Sequence, residues 1–201
     1  MFLPFVFLLL AFFVGAIPTG YLIGKYYSID IRKVGSGNTG ATNVKRACGK
    51  KAGLLTLICD ILKGSFAVVI LSNLYGNRVS LADGSEFSAF IGLAAILGHC
   101  FSPFLGFKGG KGVATSLGVF LVLSPYSAVI ALICYAVVKK GFGFVSLGSL
   151  ISAISIPVAN YLFISRYGLN VFWISVIAAL LIIIRHKENI RRLLNKEELR
   201  A

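Results

Sequence analysis

Charge is scarce in this chain. Only 13% of its 201 residues are Asp, Glu, Lys or Arg, against 57% apolar, whereas a water-soluble domain carries roughly 25% charged residues. Too few charges remain to build a water-facing surface, so a soluble globular enzyme is excluded. Cysteine is limited to Cys48, Cys59, Cys100 and Cys134, none in a C-x-x-C pair. Zinc and disulfide frameworks both need clustered spacing, and lipid-buried free thiols are the simpler reading. Nothing basic precedes Lys25. A cleaved secretory leader opens on positive charge, so the first apolar run reads as a retained helix.

What the chain has instead is apolar length. Apolar segments fall near 2–24, 53–73, 87–105, 113–123, 126–138, 144–164 and 169–184, and a bilayer span takes about 20 residues. The fourth and fifth are short and flank Ser124-Pro125, where a proline breaks the helix. The expected fold is an all-α integral membrane protein of about seven transmembrane helices. Five is the count if the short pair is re-entrant. The whole chain, 1–201, is expected to form a single polytopic membrane domain.

Basic residues set the orientation. Segment 25–51 holds Lys25, Arg32, Lys33, Lys45, Arg46, Lys50 and Lys51. Lys108 and Lys111, then Lys139 and Lys140, then six more from Arg185 onward follow on alternate connections. The opposite connections carry Arg78 and Arg166, and Lys63 lies within a span. Positive loops stay in the cytoplasm, which places the N-terminus outside and the C-terminus inside. The cytoplasmic loops are then near 25–51, 106–112, 139–149 and 185–201. The net charge of +13 follows without nucleic acid and suits an anionic lipid leaflet.

Three segments on that face carry more than charge. The first is Gly35-Ser36-Gly37-Asn38-Thr39-Gly40-Ala41-Thr42-Asn43, in which glycine amides, small hydroxyls and a following helix start suit an anion. On that helix Asn43, Arg46 and Lys50 are spaced to share a face. Gly35, Gly37 and Gly40 also match a dinucleotide fingerprint with Asp60 twenty residues on. That fingerprint requires flanking strands in a soluble unit, and a membrane helix follows here instead. The second segment runs from Gly98-His99-Cys100 to Lys108-Gly109-Gly110-Lys111-Gly112 and on into an apolar helix near Val113. Its spacing is not that of a P-loop, yet amides, a helix start and lysines again suit phosphate. The third, Arg185-His186-Lys187-Glu188-Asn189 onward, reads as a continuation of the last span with His186, Asn189 and Leu193 on one face. Ser146 and Ser149 begin the sixth helix near the same side.

Plainer readings exist for each. Boundary Lys and Arg are commonly topological anchors, glycine often serves close helix packing, and an interfacial histidine is commonly just satisfied there. Anchoring needs only charge, however, and gives no reason for two glycine-dense loops on one face. Asp60 and Lys63, three residues apart inside the second span, are a functional suspicion by default. A mutual salt bridge facing the bundle is the favoured reading of that pair.

Taken together, the three segments resemble the bacterial acyl-phosphate-dependent glycerol-3-phosphate acyltransferases, the PlsY family, over nearly the whole chain. The resemblance rests on GSGNTGATN with Arg46 downstream, GHCFSPFLGFKGGKGVATSLG and HKENIRRLL. It implies acyl transfer from a fatty acyl phosphate to the 1-hydroxyl of glycerol 3-phosphate, giving lysophosphatidic acid and phosphate, with no cofactor and no metal. It further implies that Ser36, Arg46, Lys111, His186 and Asn189 carry the reaction. Gly37, Asn38, Gly40, Thr42, Asn43, Lys108, Gly109, Gly110, Gly112 and Ser149 would hold substrate. The tail reads Leu194-Asn195-Lys196-Glu197 where the family tends to place a glycine before its glutamate, so no role carries over to Glu197.

The proton acceptor stays open between His186 and the acceptor substrate's own phosphate, with His99 nearer the apolar segment. No His-x₄-Asp pair exists, since Phe104 and Arg191 hold those positions, and there is no G-x-S-x-G elbow. An organic-phosphate transporter would also use broken helices with positively poled ends, but it needs a midplane site and usually an internal repeat, and none is found. A lipid-scaffold protein accounts for the basic face but not for the paired glycine loops.

Overall fold

The computed structural model describes residues 2–76 and 86–200; Arg78 lies outside them. Among the described residues all regular structure is helical, punctuated by proline and glycine. Helix α1 (Leu3–Ala16) stops before Pro18, which has no N–H to continue the ladder, and the chain resumes as α2 (Thr19–Tyr26). A short polar helix, α3 (Ala41–Cys48), ends at Gly49, and α4 (Lys50–Phe66) starts at the next residue. Lys50 therefore does not share a helix face with Asn43 and Arg46, because Gly49 turns the chain at φ +93°. Helix α4 loosens into a π-helical stretch, Ala67–Leu71, and closes with α5 (Ser72–Leu74).

The second half is α6 (Glu86–Cys100), α7 (Val113–Leu123), α8 (Pro125–Phe142), α9 (Val145–Leu162), the short α10 (Ile164–Tyr167), α11 (Leu169–Arg185) and α12 (Lys187–Leu194). All seven apolar segments are helical. Among the described residues five stretches are long and apolar enough to cross a membrane: Leu3–Tyr26, Lys50–Leu74, Glu86–Leu105, Pro125–Phe142 and Val145–Leu162. Counting α11 with α12 makes six, while α7, with 11 residues, is short of that length. The break at Ser124-Pro125 is present. The segment after it is longer than expected, because the helix runs on past Lys139 and Lys140 to Gly143. The third polar segment is not a continuation of the last span: the chain bends by 58° between α11 and α12.

Packing pairs α1 with α6, α4 with α7 and α8 with α9, and sets α11 against α9 and α6. Ile96, Val119, Phe120, Leu123 and Ile174 form the largest core cluster. Outward faces carry Phe5, Leu62, Trp173 and Leu180, a surface made for an apolar surrounding. Helix α1 approaches α6 so closely that a Cβ on Gly98 would lie 1.9 Å from the Phe12 carbonyl oxygen. Gly98→Ala must push the two backbones apart. Overpacking of this kind costs about 1–3 kcal/mol, so a clear fall in Tm in detergent is expected, and an unchanged Tm would contradict the close approach.

Candidate active site

The first polar loop is shaped by one buried side chain. Asn43, in the first turn of α3, accepts the Ser36 amide at 2.9 Å and donates to the carbonyls of Ile31 (2.9 Å) and Val34 (3.0 Å). Three hydrogen bonds from a single amide group pin the loop against the helix that follows it. Gly35 allows this in two ways. Its φ of +59° is ordinary for glycine alone, and any Cβ there would stand 2.4 Å from Asn43 Oδ1.

The second loop folds back on α6. The Gly109 and Gly110 amides donate to the Cys100 (3.2 Å) and His99 (3.1 Å) carbonyls, and Arg185 donates to the Gly109 (2.8 Å) and Gly110 (3.2 Å) oxygens. Those amides are thus not free donors for an anion, a correction to the reading of this loop as an amide cradle. Lys111 follows and donates to Asn189 Oδ1. Asn189 in turn donates to Glu198 Oε1 at 2.6 Å, and Arg192 to Glu198 Oε2 at 2.8 Å. Arg46 reaches across from α3 to the Leu199 and Arg200 carbonyls, each at 3.1 Å. His186 sits at the α11–α12 bend with Nδ1 2.8 Å from the Ile182 carbonyl. A carbonyl can only accept, so Nδ1 carries the proton and Nε2 keeps its lone pair.

These groups surround one cavity of about 440 Å³. Ser36, Asn38, Gly40, Thr42, Asn43, Arg46, Lys111, Gly112, Ser149, His186 and Asn189 all line it. Gly37, Lys108, Gly109 and Gly110 do not: Lys108 is exposed, and the two adjacent glycines hold the loop's shape from behind. The cavity continues into an apolar part lined by Leu57, Ile61, Leu117, Leu121, Leu132 and Ile156. Its polar end is dense in positive charge. Burial, helped by the Arg192, Arg185 and Arg46 charges and opposed by Glu198, brings Lys111 down to about 8. Burial, with Lys111 nearby, pushes His186 down to about 4. That imidazole is neutral at neutral pH. Burial works to raise Glu198, yet the Arg192 and Asn189 donors hold its carboxyl below the usual range.

Polar lining residues that were not assigned to this site from the sequence include Asp60, His99, Ser116, Ser152 and Glu198. Asp60 and Lys63 do form the expected salt bridge, at 2.8 Å, but Asp60 also reaches the cavity. For Glu198 no residue type in the sequence marked the turn that delivers it. Lys196 adopts φ +60°, a left-handed conformation natural to glycine, and it turns the tail so that Glu198, not Glu197, faces inward.

A family model described as glycerol-3-phosphate acyltransferase matches residues 5–196. The chain belongs to that family. A glycerol-3-phosphate acyltransferase of Leptospira borgpetersenii serovar Hardjo-bovis is 46% identical over 98% of this chain and 90% of its own length. One from Desulfotalea psychrophila is 44% identical over 98% of this chain and 97% of its own. Among solved structures, the crystal structure of PlsY, an integral membrane glycerol 3-phosphate acyltransferase, in its glycerol 3-phosphate form has a TM-score of 0.88. It is 40% identical and covers 98% of this chain and 95% of that one. The lysophosphatidic acid form gives a TM-score of 0.86 at the same identity, covering 98% of this chain and 94% of that one. This glycerol-3-phosphate acyltransferase is therefore a multi-pass membrane enzyme, as the resemblance of its three polar segments implied.

Proposed function

We propose that this chain transfers a fatty acyl group from acyl phosphate to the 1-hydroxyl of glycerol 3-phosphate, releasing lysophosphatidic acid and phosphate at the cytoplasmic face of the inner membrane. The observation that carries the reading is the convergence of the three polar segments on one cavity, cationic at one end and apolar at the other. Lys111 and Arg46 supply the charge for phosphate oxygens. The apolar part takes the acyl chain, where burial gives about 0.8 kcal/mol per CH₂. Seven crossings, an outside N-terminus, an inside C-terminus and one membrane domain over 1–201 complete the proposal. The positive loops support that orientation.

The acceptor oxygen attacks the acyl carbon, the bond from that carbon to the phosphate oxygen breaks, and the hydroxyl proton must leave. Phosphate is a good leaving group, so positioning and charge stabilisation supply most of the help required. His186, held near 4, keeps a proton less well than a phosphate monoester with a second pKa of about 6. The proton goes to the acceptor's own phosphate, and His186 Nε2 accepts a hydrogen bond from the acceptor's other hydroxyl, orienting the molecule. His186→Ala is therefore expected to raise the KM for glycerol 3-phosphate with little change in kcat. Loss of kcat at constant KM would make the imidazole the base instead.

The donor is tested by following phosphate release from palmitoyl phosphate in lipid, with palmitoyl-CoA in a parallel reaction. Release that depends on glycerol 3-phosphate, with no acylated product from the thioester, supports the reading. Turnover with the thioester and none with the acyl phosphate overturns it.

A further inference from the structure

The break at Pro18 leaves the carbonyls of Ala16 and Ile17 outside the helical ladder. Ser102 Oγ donates to the first at 2.6 Å and Lys63 Nζ to the second at 2.9 Å. Lys63 also pairs with Asp60, whose Oδ1 accepts Thr19 Oγ1 at 2.6 Å. Satisfying the break accounts for Lys63, and neutralising Lys63 accounts for Asp60. Neither accounts for His99, which is 8% exposed with Nδ1 3.6 Å from Asp60 Oδ1.

The opposite edge of the His99 ring touches the second polar loop. A Cβ placed on Gly110 would lie 2.1 Å from His99 Nε2 and 2.8 Å from Cε1. Gly110 is thus in contact with the ring on one side, while its oxygen accepts from Arg185. The next residue is Lys111. We propose that Asp60 and His99 are positioning residues for Lys111. Asp60 sets the ring, the ring sets the path of Gly110, and that path sets where the ammonium stands in the cavity. The inference rests on the cavity being the acyl-transfer site.

The test measures kcat, KM for glycerol 3-phosphate and Tm for Gly110→Ala, His99→Ala, their double variant and Asp60→Asn/Lys63→Met, which removes both charges together. Displacing a positioned group by about 1 Å costs on the order of 100-fold. Gly110→Ala is accordingly expected to lose about that in kcat/KM at near wild-type Tm. Removing the ring makes room for the methyl, so the double variant regains at least about tenfold of that loss. His99→Ala alone and the Asp60/Lys63 variant each raise KM several-fold. A residue that serves only folding would lower Tm and show no such suppression.

Wild-type kinetics in Gly110→Ala, or a folded double variant no better than Gly110→Ala, overturns the proposal. Should Gly110→Ala not fold, His99→Ala decides, since wild-type KM there also overturns it. A wild-type enzyme that makes no acylated product would instead sink the acyl-transfer reading, and this inference with it. Normal wild-type turnover strongly reduced by Lys111→Met, beside unaffected Asp60, His99 and Gly110 variants, defeats the inference alone.

Discussion

Lys111→Met is expected to lower kcat/KM for glycerol 3-phosphate by roughly 10- to 150-fold, the equivalent of one charge-assisted hydrogen bond of about 1.5–3 kcal/mol. The variant should keep its Tm or gain slightly, because a half-buried ammonium with mostly cationic neighbours is itself costly. The pH dependence has a definite sign. Lys111 titrates near 8 in the free enzyme, so its charge is complete below that value and is lost as pH rises through it. Acceptor affinity should therefore fall on the alkaline side. In Lys111→Arg, whose guanidinium keeps its proton throughout, that alkaline limb should vanish even if overall activity drops, since the planar group differs in shape. Glu198→Gln removes the negative charge that holds the ammonium up, and the limb should move to lower pH. An alkaline limb identical in wild type and Lys111→Arg would show that another group titrates there.

Asn43→Ala is expected to be damaging in a second way. The side chain is buried and makes all three hydrogen bonds that tie the Ile31–Ser36 stretch to α3. Each buried polar group left without a partner costs about 1–3 kcal/mol, so a loss of roughly 3 kcal/mol of local stability is expected. The loop carrying Ser36 then loses its fixed path, and kcat falls together with Tm. Asn43→Asp keeps the oxygen that accepts the Ser36 amide but sets a second acceptor against both carbonyls, so it should be no better than alanine. A wild-type Tm and kcat in Asn43→Ala would mean that the loop is held by something else.

Much of this site was legible because its signals are local. Glycine density, lysines and hydroxyls mark the first two loops, and alternate basic connections bring them to one face before any tertiary contact is known. What could not be read is what each amide and side chain spends itself on. Gly109 and Gly110 look like open donors in sequence, but their N–H groups are taken by the end of α6. Asn43 looks like a ligand, yet its hydrogen bonds are internal ones. Lys50 satisfies helical spacing, and a single left-handed glycine at 49 removes it from the face. Glu198 escaped notice because the turn delivering it is built on a lysine at 196, a residue type that announces no turn. His99 and Asp60 are 39 positions apart, and only the packing of α4 on α6 and α7 makes them neighbours. The helix count shows the same division. All seven apolar segments were visible, while the extension of α8 past its lysines and the 58° bend at His186 depend on where each helix stops against its neighbours.

The central claim is that the shared cavity joins an acyl chain to glycerol 3-phosphate. Its most direct test is conversion of labelled glycerol 3-phosphate to lysophosphatidic acid by the purified protein in liposomes supplied with acyl phosphate, wild type beside Lys111→Met. Labelled lysophosphatidic acid in equal amount to the phosphate released, and strongly reduced in the variant, is the predicted result. Label that accumulates inside the vesicles as unmodified glycerol 3-phosphate, with no acylated product, would contradict the account and make the cavity a transport site.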